Sequence, residues 1–60
     1  MDFAREMVYY RAKNKLTQAE LGKQLNMARE TVNRIERNKY PRMSNLMKAK
    51  IELLLKGEIK

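Results

Sequence analysis

The chain contains no cysteine, no histidine and no tryptophan, and only one proline and two glycines among its 60 residues. Without cysteine there is no disulfide staple, and without cysteine or histidine no ordinary zinc site, so no metal is expected. The usual pairs of nucleophile and base are missing as well. Asp2 is the sole aspartate, and no glycine-rich loop is present to cradle a phosphate, so enzymatic activity and a bound cofactor are not expected. Long apolar runs are also lacking. The longest purely aliphatic one, Leu53-Leu54-Leu55, falls far short of the roughly 20 residues a membrane span needs. No signal peptide is visible, so the expected setting is cytoplasmic, with no membrane partner. Negative charge is scarce. Seven acids face 14 lysines and arginines, and the net charge of +7 favours a polyanionic partner. Basicity alone does not choose among polyanions, since ribosome-associated and membrane-surface chains share it. The length allows one domain, residues 1–60, near the lower end of what folds alone.

The residues from Leu16 to Glu36 are the informative part. Thr17 and Glu20 have the spacing of a capping box, and Leu16 and Leu21 that of a hydrophobic staple across the same helix start. Leu21, Gly22 and Leu25 then make the buried stripe of a helix of about two turns. Glycine inside a helix costs about 1 kcal/mol relative to alanine, so Gly22 makes sense where another helix crosses close by. Asn26 tolerates the left-handed conformation that turns the chain. Met27, Val32 and Ile35 give the inward face of a second helix. Arg29, Glu30, Asn33, Arg34 and Arg37 fall on its other side. Two short helices joined by a tight turn, the second studded with long polar side chains, have the form of a helix-turn-helix.

The segment resembles the Cro/phage-repressor (XRE-type) helix-turn-helix family, matching its motif without a gap at Gln18, Leu21, Gly22, Leu25, Val32, Ile35 and Glu36. Arg11 adds to the likeness, because the family pairs an arginine of its first helix with the glutamate that stands here as Glu36. The resemblance covers about residues 3–55 and weakens after Asn38. It implies an all-α, compact, four-helix, lambda-repressor-like DNA-binding domain, with helices 2 and 3 as the helix-turn-helix. The fifth helix usual in the family is not expected within these 60 residues. Ala28 stands where a capping serine or threonine is usual, so the second helix of the motif either starts raggedly or is capped by Asn26. Lys15 and Asn26 each replace a common turn glycine.

Four helices are expected, at about residues 2–13, 18–25, 28–37 and 44–56. The first should bury Phe3, Met7, Tyr10 and Arg11, leaving Val8 and Tyr9 off the stripe. Asn38 to Arg42 is a loop, in which Asn38 ends a helix and Pro41 prevents Tyr40 from continuing one. Ser44 caps the last helix and Gly57 stops it. Met7, Met27, Met43 and Met47 read as adaptable core fillers rather than a methionine-rich binding surface.

Arg29, Glu30, Asn33 and Arg34 are the candidate base readers. Arginine forks onto guanine, asparagine matches adenine, and glutamate accepts from cytosine. Glu30 and Arg34 also have the spacing of a simple surface ion pair. Phosphate contacts are expected from Gln18, Thr31, Arg37, Asn38, Lys39 and Arg42, with Arg11 shared between Glu36 and a phosphate. A solvated loop is the plainer account of Lys39 and Arg42, and a narrow minor groove is another place for Arg42. The last helix has apolar residues over a wider arc than one face needs, since Leu53 and Leu55 point about 160° apart. Leu53, Leu55 and Ile59 are therefore candidates for a homodimer interface. The alternatives are a monomer and docking to a larger protein. The resemblance implies an operator that is an inverted repeat with half-sites about one helical turn apart.

The function expected from all this is sequence-specific binding of double-stranded DNA by a Cro-like repressor of phage or mobile-element type, acting at the nucleoid of a bacterial or phage-infected cell. The alternative is an antitoxin-like or anti-repressor module that docks through its last helix. No small-molecule ligand is suggested. A basic membrane-surface peptide is disfavoured, because it would not need capped turns.

Overall fold

Side-chain caps open three of the four helices. In the computed structural model, which describes residues 2–57, the helices are α1 (Phe3–Lys13), α2 (Gln18–Leu25), α3 (Arg29–Glu36) and α4 (Asn45–Leu55). Asp2 accepts from the Arg5 N–H at the head of α1, and Ser44 accepts from the Met47 N–H at the head of α4. At α2 the capping box closes in both directions. The Glu20 N–H donates to Thr17 Oγ1 at 3.1 Å, and the Thr17 N–H donates to Glu20 Oε1 at 2.8 Å. The Thr17 backbone N–H, and after it the Thr17 side chain, hold the Glu20 carboxyl below its ordinary value. α3 has no such device. It starts cleanly at Arg29, with Ala28 in extended conformation and no side-chain cap, so Asn26 does not serve it.

The first three helices end alike. Lys15, Asn26 and Asn38 take left-handed backbone, with φ of 55°, 56° and 59°. In each case the next residue's N–H reaches back five positions: Leu16 to Arg11 O, Met27 to Gly22 O, Lys39 to Arg34 O. This is the Schellman closure, and asparagine suits its left-handed site at two of the three turns. Lys15 holds that conformation without such help, at a cost of about 1 kcal/mol.

The core is Met7, Leu21, Leu25, Val32, Ile35, Ile51 and Leu54, all buried. Phe3, Tyr10, Leu16, Met27, Tyr40, Met43, Met47 and Leu55 close around it. α3 packs on α2 and α1, and α4 packs on α1 and α2. Val8 and Tyr9 lie exposed on the outer face of α1. Tyr40 turns inward from the loop, an anchor that loop composition does not reveal.

Gly22 explains the angle between α2 and α3. A Cβ built there would stand 2.5 Å from the Met27 carbonyl oxygen and 3.4 Å from Val32 Cγ2. What crosses close by is thus the backbone of the turn itself, with Val32 behind it. Any side chain at this position would push the turn, and the start of α3 with it, off α2.

Candidate nucleic-acid interface

The outward side of α3 is set by what its inward side buries. Val32 and Ile35 are in the core, so the helical period turns Arg29, Glu30 and Arg34 to solvent, and all three are exposed. Asn33 and Thr31 are half-buried on opposite flanks of that face. Gln18, Arg29, Glu30, Asn33 and Arg34 line one open hollow of about 310 Å³ between the start of α2 and α3. A second hollow joins Arg34 to Lys39, Tyr40, Pro41 and Arg42. Arg34 therefore stands between the candidate base readers and the basic loop. Among the described residues no ion pair within 4 Å joins Glu30 to Arg34, so neither side chain is engaged by the other.

The remaining candidates are more scattered. Arg37 follows α3 and is exposed. Asn38 borders the groove on the α1 side, with Ala4 and Asp2, away from the hollow lined by Gln18. Thr31 lies about 100° round α3 from Glu30 by the helical period.

Beneath the exposed face is a hydrogen-bonded network that ties three helices together. Arg11 Nε donates to Glu36 Oε2 at 2.9 Å and Arg11 Nη2 donates to Glu36 Oε1 at 3.0 Å. The third nitrogen, Nη1, donates to the Leu16 carbonyl at 3.3 Å. All three nitrogens of Arg11 are thus held by acceptors inside the protein. The hydrogen bonds to Glu36 raise the Arg11 pKa above its ordinary value, outweighing desolvation, with the carboxylate's charge adding to them. Gln18 Nε2 donates to Glu36 Oε1 at 3.1 Å, and Asn33 Nδ2 donates to Gln18 Oε1 at 3.3 Å. The family resemblance implies the pairing of Arg11 with Glu36 but not this extension. Gln18 and Asn33 each read as free polar residues until the distance between the start of α2 and the middle of α3 is known.

On α4, Leu46 is 72% exposed and Leu53 40% exposed, about two turns apart on one line of the helix. Leu55 is half-buried against the core, so of the interface candidates Leu53 faces outward and Leu55 inward. Ile59 lies outside the described residues.

The Helix-turn-helix family matches residues 8–49, a span that holds all of α2 and α3 and most of α1. The chain belongs to this family, in its XRE-type branch, and is a DNA-binding helix-turn-helix regulator. No curated protein and no solved structure matches the chain. No helix among the described residues is long and apolar enough to cross a membrane.

Proposed function

We propose that the chain is a sequence-specific repressor of Cro-like type that places α3 in the major groove of its operator, as a single domain over residues 1–60. The exposed row Arg29, Glu30 and Arg34 above a buried Val32–Ile35 face carries this reading. It puts the residue types that recognise base edges together on the exposed face of one helix. Lys39 and Arg42 flank the row, where they would meet phosphate and fix the register. Leu46 and Leu53 would join two copies through α4, giving an inverted-repeat operator. A phage or mobile-element setting and action at the nucleoid in the cytoplasm follow from the resemblance. No catalytic role is part of this reading.

The exposed strip on α4 also favours a second reading, an antitoxin-like or anti-repressor module for which the partner protein matters more than the operator. Selection of bound duplexes from a random pool separates the two. A repressor recovers one symmetric site, and its affinity for that site exceeds its affinity for scrambled duplex by about a thousandfold or more. Weak recovery with no preferred sequence would favour the module.

A further inference from the structure

The outer face of α1 takes no part in the proposed DNA contact. Val8 is 42% exposed there and Tyr9 64%, with Arg5 and Ala12 beside them within an arc of about 100°. An open hollow of about 600 Å³ runs along this face, bordered by Ala4, Arg5, Val8, Tyr9 and Ala12. On one flank stand Glu6 and Lys13, both exposed. Being seven residues apart, they lie within about 20° of each other around the helix and about 10 Å apart along it. Among the described residues no ion pair within 4 Å engages either. The face also differs in charge from the molecule as a whole. Asp2 and Glu6 balance Arg5 and Lys13 here, in a chain of net charge +7. A polyanion therefore gains little from it.

The charges of this face run from acid near the start of the helix to base near its end, an order complementary to its own reverse. We infer that the outer face of α1 is a contact surface for a second copy of this chain, with the two α1 helices antiparallel. A two-fold axis across the helices between Val8 and Tyr9 brings Val8 against Tyr9 of the other copy and lays the stem of Arg5 over its Ala12. Such an axis keeps each flank on its own side. Glu6 then comes within about 3 Å, measured along the helix, of the level of Lys13 in the other copy, and symmetry makes the pair twice. A parallel arrangement sets Glu6 level with Glu6 and Lys13 level with Lys13, and so makes neither pair. These exposed pairs choose orientation more than they add strength. About six exposed side chains a side is far below the 20–30 of a stable complex, so the contact is weak in free solution and counts where copies are held close together. The face is separate from Leu46 and Leu53 of α4, and the inference holds or fails independently of the dimer proposed above.

Amide chemical shifts of the full chain, followed from tens of micromolar into the millimolar range, read each face separately. Val8, Tyr9 and Ala12 should shift with concentration, and should still do so in Leu53→Lys, where the α4 strip is disrupted. Glu6→Lys and Lys13→Glu each set like charges together and should weaken this association several-fold. Mixing the two variants restores opposite charges at both pairs. The mixture should therefore associate about as strongly as wild type and more strongly than either variant alone, a rescue that a parallel contact does not give. Tyr9→Ser, which alters no charge, should show the same loss and serves if either charge variant fails to fold. A wild type whose α1 resonances do not move with concentration overturns the inference. So do single variants that associate like wild type, or a mixture no stronger than its components. Shifts confined to α4 would overturn it too, while leaving the dimer proposed above in place.

Discussion

Arg11 and Glu36, 25 residues apart in sequence, meet in two parallel hydrogen bonds of 2.9 and 3.0 Å. The carboxylate side chain is 5% exposed and the guanidinium 27%, so the glutamate is the more deeply committed partner. Planar fork against planar carboxylate is the geometry in which arginine outperforms lysine. It joins the last turn of α1 to the end of α3, and so fixes the helix that presents the polar row.

Arg11→Ala should therefore strand a nearly buried carboxylate. Loss of one partner of a buried pair costs about 3–5 kcal/mol, and the partial exposure of Arg11 places this case at about 3. Urea unfolding of variant and wild type measures it. A change below about 0.5 kcal/mol would mean that the pair is a surface contact.

Gly22→Ala should destabilise even though alanine favours helix by about 1 kcal/mol. The added Cβ meets the Met27 carbonyl oxygen at 2.5 Å, and backbone yields less readily than a side chain. A net loss of about 1–3 kcal/mol is expected, together with weaker DNA binding because α3 is displaced. Thermal melting alongside a binding titration checks both, and a stabilised variant would contradict the close approach.

Glu20 gives a pH dependence. Its pKa is depressed in the folded chain by the bonds to Thr17, so the folded state holds its proton less readily than the unfolded one. The contribution to stability is present above the ordinary carboxylate value of 4.5 and is lost as the pH falls through the lower folded value. Glu20→Gln removes this titration. Melting curves of the two proteins should diverge at neutral pH and converge in acid, whereas a constant gap would argue against the capping box as its source.

Leu53→Lys tests the proposed dimer. Leu53 is 40% exposed, so the variant should stay folded while self-association and operator affinity both fall. Leu55→Lys, half-buried against the core, should unfold the domain instead. Sedimentation decides between them, and a wild type that is monomeric at tens of micromolar would remove the dimer.

Much of this fold can be read along the chain because the signals are local. Thr17 with Glu20, Ser44, Asn26 and Asn38 act on backbone within a turn of themselves, and alternation around Val32 and Ile35 assigns the faces of α3. What escapes is the contact set by the packing of one helix on another. Tyr40 is in a loop by composition yet packs on the core. Leu53 and Leu55 cannot be ranked by period alone, since only the placement of α4 shows which of the two is covered. Gln18 and Asn33 each look like free DNA contacts, and only the crossing of α2 and α3 brings their amides within 3.3 Å. Ala28 fails as a cap, and α3 starts cleanly nonetheless because the turn closing α2 already fixes its first residue.

The contrast between two arginines of equal charge tests the central claim most directly. Arg34 is on the exposed face of α3, within the hollow lined by Glu30 and Asn33, and Arg42 is in the loop beyond it. Both variants, titrated against the recovered operator and a scrambled duplex at two salt concentrations, should behave differently. Arg34→Ala should cost about 1–3 kcal/mol on the operator alone and relax preference at one base pair. Arg42→Ala should weaken both duplexes alike and lower the salt slope by about one unit. Equal losses on operator and scrambled duplex for Arg34→Ala would make Arg34 a phosphate contact and contradict α3 as the helix that reads the sequence.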